Sequence, residues 1–588
     1  MGLNLASLLT ESAERTPEAP AIRLGDVELS DGELDDRSAR LATLLRGRGF
    51  EPGDRIGVML PNVPEFPVAY YGVLRAGGIV VPMNVLLKRR EIAFYLEDSG
   101  AKLLLAWHGF AEEAKEGAAE AGVELIEVEP TSFAALLAAS GAPYVPIGSK
   151  RRTGTEELAD TAEDDTAVIL YTSGTTGKPK GAELTHLNLS KNAEISSRTT
   201  CEVGPGDVVL GALPLFHSFG QSVGMNSSLL VGACLTLVPK FDPGETLETM
   251  QRDRVTHFYG VPTMFGALLH HPERESFDTS SLRNCITGGA SMPVEVLRGF
   301  EEAFDAKVLE GYGLSETSPV ASSNHPDMER KPGSIGTPIE GVEMNVVDED
   351  DNEVAQGEVG EIVIRGHNIM KGYWQRPDAT EEAMRGGWFH SGDMARTDEA
   401  GYFYIVDRKK DLIIRGGYNV YPREVEEVLF EHPKIREAAV VGVPHDEWGE
   451  EIGAAVVLHD GEALEIIERD KVTVFQGVPT MYHAMLNHDG REDADVSSLR
   501  ACMSGGAAMP VEVMKSFEEA FGCEVLEGYG LSETSPVASF NQPGQERKPG
   551  SIGTPIEGVE MKLVDDEGKD VEGTGEEAVG EIAIKGHN

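Results

Sequence analysis

The 588-residue sequence predicts an α/β protein with more than one sheet. Three observations carry that expectation. The first 80 residues alternate helix and strand signals, and a glycine- and hydroxyl-rich loop directly follows the apolar run Ala167–Tyr171. From about Pro332 to Ile405, glycine-rich turns separate short alternating runs such as Gly360–Arg365. In α/β winding, ligand sites are expected at the carboxyl ends of strands.

The elements follow in order. Ser30-Asp-Gly-Glu33 is a capping-box pattern that opens a helix with Leu34, Leu41, Leu44 and Leu45 facing inward. Gly47 and Gly49 end it, and Arg55–Leu60 reads as a strand. A helix through Ala69–Ala76 leads to a strand at Ile79–Val81. The stretch 141–165 is polar and weakly patterned, as expected of a surface connection. Val208–Val238 is the most apolar long stretch, but Pro214, His217, Gln221 and Asn226 interrupt it. It reads as pocket wall and not as a membrane span. The alternating runs after Pro332 predict a small β-rich subdomain closing the large one.

The loop at 172–181, Thr-Ser-Gly-Thr-Thr-Gly-Lys-Pro-Lys-Gly, presents hydroxyls, backbone N–H groups and two ammonium groups to one polyanion. Thr172, Ser173, Thr175 and Thr176, with Lys178 and Lys180, are its hydrogen-bond and charge donors. Gly174 and Gly177 free its backbone. It is not a Walker loop, because Gly174 and Gly177-Lys178 lie too close together and Pro179 replaces the Ser or Thr that should follow. A solvated turn is the alternative for such a segment taken alone.

The loop resembles the phosphate loop of the adenylate-forming superfamily, which holds acyl-CoA synthetases, luciferases and peptide-synthetase adenylation domains. Four further segments agree in order: Leu213–Gly220 with the acyl-pocket motif, Glu310–Thr317 with the adenine and magnesium motif, His390–Asp393 with the ribose motif, and Asp407–Asp411 with the interdomain hinge. The wording near the pocket is most similar to fatty acyl-CoA ligases.

The resemblance implies a large domain over 1–407, made of two α/β sheets and a small β-barrel-like part, then a small α+β domain from residue 408. It implies ATP, Mg²⁺ and CoA as cofactors and a medium- or long-chain fatty acid as substrate. Thr172 and Glu316 would hold Mg²⁺, and Thr317 the α-phosphate. Gly289 and Ala290, with Glu310, Gly311, Tyr312 and Gly313, would bracket the adenine. Asp393 would accept from the ribose hydroxyls, with Arg408 in support. His217 would guard thiol access, although a histidine in an apolar stretch is more often a satisfied core residue. Phe216, Gly220, Tyr259, Gly260 and Val261 would line the acyl pocket, though Tyr259 fits an ordinary core equally well. Lys410 matches the hinge, and Gly416 and Gly417 the loop that enters the CoA tunnel.

An internal repeat complicates this plan. Residues 244–368 recur near 461–588, and Ser280–Met344 matches Ser497–Met561 at 51 of 65 ungapped positions. Two copies of this length exclude a solenoid. The expected organisation is therefore a swinging domain cut short at 408–460, followed by a partial duplicate at 461–588. The Ser-Gly-Lys-type motif that carries the family's C-terminal catalytic lysine is absent from the sequence, so adenylation is expected to be impaired. A non-catalytic nucleotide- or acyl-binding protein, or a recombined gene product, is the alternative. Orphaned apolar surface on the surplus block is expected to favour association, including a homo-oligomer.

The formal charge of −48 argues against a nucleic-acid partner and requires local basic groups wherever ATP and CoA bind. So acidic a surface suggests a high-salt cytoplasm, possible in a halophile, where repulsion is screened. The five cysteines show no metal-type spacing, which suits reduced thiols. The N-terminus lacks a secretory pattern.

Overall fold

The structure is a computed structural model that describes residues 3–140, 158–172, 179–408, 413–415, 418–430, 432, 435–445, 449–458, 462–488, 490–507, 509–531, 534, 537–542, 548, 550–565, 569–571 and 579–586. The chain divides into two compact units. One comprises Met1–Glu427 and Val441–Ile452, the other Val428–Val440 and Gly453–Asn588.

The first unit contains the two predicted α/β sheets. In the nine-stranded sheet, Cys234–Leu237, Val208–Gly211, His257–Gly260, Asn284–Thr287 and Lys307–Gly313 run parallel. In the seven-stranded sheet, Thr166–Thr172, Ile79–Pro82, Arg55–Met59, Leu103–Trp107 and Glu124–Val128 run parallel. One shared apolar core joins residues of both sheets, among them Ile22, Val58, Leu105, Val168, Leu235 and Ile286. The interior strands Val208–Gly211, Ile79–Pro82 and Leu103–Trp107 are almost continuously apolar, as burial on both faces demands, whereas Glu124–Val128 at the sheet edge mixes buried and exposed residues.

Local signals explain the elements that frame the site. Ser30 Oγ accepts from Glu33 N at 3.2 Å and Glu33 Oε2 accepts from Ser30 N at 3.0 Å, so the capping box is formed and the helix spans Asp31–Gly47. Leu34, Leu41 and Leu45 are fully buried, whereas Leu44 is only half-buried. The helix expected over 69–76 begins earlier and spans Glu65–Arg75. Thr166–Thr172 is a strand, as its apolar run predicts, and its antiparallel partner is Lys180–Thr185. Thr172 and Lys180 thus lie on consecutive antiparallel strands, whereas a Walker motif leads from a strand into a helix.

The β-rich stretch forms a four-stranded antiparallel sheet of Val342–Val347, Gly360–Gly366, Phe389–Thr397 and Phe403–Arg408. Two π-helical segments border the short helices here: Ser196–Thr200 follows the helix His186–Ile195, and Phe219–Asn226 precedes the helix Ser227–Val231. Segments of this kind are frequent at functional sites. Among the described residues, no helix is long and apolar enough to cross a membrane.

The second unit holds a five-stranded sheet with its own core, which includes Leu464, Tyr482, Cys502, Phe517 and Val525. Val474–Gly477 pairs with Ala501–Ser504 in the register that His257–Gly260 keeps with Asn284–Thr287, shifted by 217 positions. In the first unit His257–Gly260 has Val208–Gly211 as its other neighbour, whereas Val474–Gly477 ends its sheet among the described residues.

Candidate active site

A cavity of about 880 Å³ opens in the first unit, lined by residues of the seven-stranded, the nine-stranded and the small antiparallel sheets. Thr172 closes the strand Thr166–Thr172, and Lys180 faces it across the antiparallel pair. Glu316 lies in the short helical turn Ser315–Thr317 that follows the strand Lys307–Gly313. Thr172 Oγ1 donates to Glu316 Oε1 at 3.2 Å, although the two residues are 144 positions apart. The Tyr373 hydroxyl donates to the same oxygen at 2.9 Å. Lys180 Nζ stands 5.3 Å from the centre of the Tyr373 ring, within cation–π range. Burial first, then the neighbouring Glu316 carboxylate, push the Tyr373 pKa upward, so its hydroxyl stays protonated and donates.

Glu316 and Thr172 offer only oxygen ligands, and Glu316 is 8% exposed. One carboxylate and one hydroxyl suit Mg²⁺, which keeps several waters and draws further ligands from substrate phosphates. No cluster of three or more His, Cys, Asp or Glu residues that could cage a metal occurs among the described residues.

The nucleotide side of the cavity is built from Gly288, Gly289, Gly311, Tyr312 and Gly313 on the large sheet and from His390–Asp393 on the small one. The Tyr312 hydroxyl donates to Asp393 Oδ2 at 2.6 Å. Asp393 in turn pairs through its backbone with Arg408. Thr317 is fully buried, and its Oγ1 accepts from Leu314 N at 2.8 Å and donates to Pro319 O, so it braces the turn that carries Glu316. Glu310 lies behind the wall, where its Oε2 accepts from Gly333 N at 2.8 Å. Ala290 is exposed beside Gly289 and does not border the cavity.

His217 is on the cavity wall with Ser218, Phe219 and Val223. The protein packed around the cavity desolvates its imidazole and lowers its pKa, although the residue itself is accessible. The apolar walls come from Phe219, Val223, Ile286, Val320 and Phe389. The five expected pocket residues sit elsewhere. Gly220, Tyr259 and Gly260 are buried in the interior, and Phe216 and Val261 are half-buried against the core. Their place in an apolar run is the same whether a residue faces the core or a pocket.

Ser173, Gly174, Thr175, Thr176, Gly177 and Lys178 lie outside the described residues, as do Lys410, Gly416 and Gly417. Sequence reasoning missed Tyr373, Glu361 and Arg385, all of which border the cavity. Tyr373 belongs to the two-residue strand Gly372–Tyr373, too short to show any period.

The family model for AMP-binding enzymes matches residues 9–374 and 451–588. A long-chain-fatty-acid–CoA ligase of Bacillus subtilis is 40% identical over 508 residues, covering 81% of this chain and 90% of that protein. A feruloyl-CoA synthase of an Amycolatopsis species is 39% identical over 78% of this chain and 90% of its own length. The ATP-bound crystal structure of MatB from Rhodopseudomonas palustris superposes with a TM-score of 0.71 at 34% identity, covering 78% of this chain and 90% of that one. With the motifs in order and Thr172, Glu316 and Asp393 brought to one cavity, the chain belongs to the AMP-binding enzyme family, within which its similar relatives are acid–CoA ligases.

Proposed function

We propose that this chain activates a medium- or long-chain fatty acid with ATP and passes the acyl group to CoA. The convergence of Thr172, Lys180, Glu316 and Asp393 on one cavity with an apolar wall carries this reading. In the first half-reaction a carboxylate oxygen attacks the α-phosphorus, the bond to the β-phosphate oxygen breaks, and pyrophosphate leaves. In the second, the CoA thiol gives up its proton to solvent, its sulfur attacks the acyl carbonyl carbon, the bond from that carbon to the phosphate oxygen breaks, and AMP leaves.

Two anions meet in the first step, so the site must neutralise charge and align the reactants more than it must move protons. Lys180 supplies one positive charge. Thr172 and Glu316 would hold Mg²⁺, which supplies charge neutralisation at the phosphates when bound. Tyr373 fixes one carboxylate oxygen of Glu316, and Thr317 holds the turn beneath it. Gly288, Gly289 and Tyr312 would receive the adenine, and Asp393 would accept from the ribose hydroxyls. His217, kept neutral by desolvation, would shape the passage between the acyl group and the thiol.

An aromatic acid is the second reading, and the 39% identity to a feruloyl-CoA synthase favours it. AMP formation measured with decanoate, palmitate and ferulate separates the two. Release driven by the alkanoates alone supports the fatty-acid reading, and release driven by ferulate alone replaces it.

A further inference from the structure

Glu361 belongs to none of the five motifs, yet it borders the cavity and is 6% exposed. It stands in the strand Gly360–Gly366, opposite Phe389–Thr397. The pairs Glu361↔Met394 and Val363↔His390 enclose a single residue, Ile362, on one strand. On the other they enclose Ser391, Gly392 and Asp393. This bulge carries two extra residues on the second strand, and a bulge re-aims the side chains it carries. Here one of them is Asp393.

Each step of the bulge is tied down. Ser391 Oγ donates to Ile362 O at 2.8 Å and accepts from Asp393 N at 3.1 Å. Gly392 has a φ of +74°, the left-handed region that suits glycine. Its N–H donates to Glu361 Oε1 at 3.0 Å. The other carboxylate oxygen of Glu361 lies 3.4 Å from an Arg385 guanidinium nitrogen and 3.7 Å from His390 Nδ1. The carboxylate thus bridges the bulge and a cation that also borders the cavity.

We propose that Glu361 is a positioning residue that pins the Ser391–Asp393 bulge, so that Asp393 is presented to the ribose hydroxyls of the nucleotide. This rests on the reading that Asp393 takes the ribose. A charge-assisted hydrogen bond to a backbone N–H is among the stronger ones, and an unpinned bulge would let Asp393 sample poses that miss the hydroxyls.

The test is calorimetric binding of ATP and of 2′,3′-dideoxyATP, both with Mg²⁺, which needs no turnover. The wild-type chain is expected to favour ATP by about tenfold or more. Glu361→Ala is expected to cut that preference below about threefold by weakening ATP alone. Glu361→Gln, whose amide oxygen still accepts from Gly392 N, is expected to keep most of it. Equal weakening of both nucleotides by Glu361→Ala overturns the proposal, because a general structural loss or a direct contact elsewhere on the nucleotide acts in that way. An unchanged preference overturns it as well. A wild-type preference near one defeats the ribose reading of Asp393 itself, and the proposal with it. Should Glu361→Ala lose its circular dichroism, Ser391→Ala must show the same selective loss, and an intact preference there overturns the proposal.

Discussion

The Tyr312 hydroxyl donates to Asp393 Oδ2 at 2.6 Å and thereby ties the nine-stranded sheet to the small antiparallel one across the nucleotide side of the cavity. The ring and the hydroxyl have separable tasks. Tyr312→Phe keeps the ring and is expected to weaken ATP binding about threefold, the worth of one modest hydrogen bond. Tyr312→Ala also removes the aromatic face and is expected to cost about tenfold or more. Calorimetric titration with ATP checks both.

Glu316 receives two hydroxyls on one oxygen, from Thr172 and from Tyr373. Glu316→Gln weakens the Mg²⁺ site and is expected to lower single-turnover pyrophosphate release by about 10²–10³-fold, on the order of losing one source of transition-state charge neutralisation. Tyr373→Phe loses one hydrogen bond and is expected to cost about tenfold. Excess EDTA should stop release in the wild type.

At Gly313 an added Cβ would lie 1.8 Å from Pro319 O and 2.6 Å from Pro319 C, both backbone atoms that cannot swing away. Gly313→Ala must therefore move the turn that carries Glu316. We expect it to destabilise the first unit by about 3 kcal/mol or more and to lower its Tm measurably. Gly47, at the end of its helix with nothing within 4 Å, is the control. Gly47→Ala should leave Tm level or slightly raised.

His186 is buried, and its Nδ1 accepts from Leu5 N at 3.0 Å, a bond that requires the neutral ring. Desolvation lowers its pKa to about 4, against a weaker opposing pull from Asp165. In the unfolded chain its pKa is about 6.5. The unfolded state therefore binds a proton that the folded state refuses between those values. The contribution of His186 to stability is full above about pH 6.5 and is lost as pH falls toward about 4. Urea melts over that range should show wild-type stability falling with pH, and His186→Gln should flatten the slope by about one proton.

Much of the framework was legible because it rests on local chemistry. The capping box at Ser30 and Glu33 names its own helix, and the short apolar run Ala167–Tyr171, ended by turn residues, reads as the buried strand that Thr166–Thr172 forms. Pairings between distant elements were not legible. Tyr373 reaches Glu316 from a two-residue strand, and Glu361 reaches Gly392 across a bulge that no periodicity announces. Nor was it legible that the turn at Gly333 takes the carboxylate of Glu310, a residue that resemblance alone places beside the adenine. Apolar runs name a buried residue without saying whether it faces the core or a pocket. Tyr259 and Gly260, expected in the acyl pocket, are buried and do not border this cavity, whose apolar wall includes Phe219, Val223 and Ile286.

The most direct test of the account is to trap the acyl-adenylate. The purified chain, at stoichiometric concentration with MgATP and decanoate or palmitate but no CoA, is quenched in acid and analysed by mass spectrometry. The account predicts an acyl-AMP of the expected mass, up to one per chain in the wild type and lost in Glu316→Gln. ATP bound with normal affinity, but no acyl-AMP from any acid after prolonged incubation, would contradict it and leave a nucleotide-binding protein in place of a ligase.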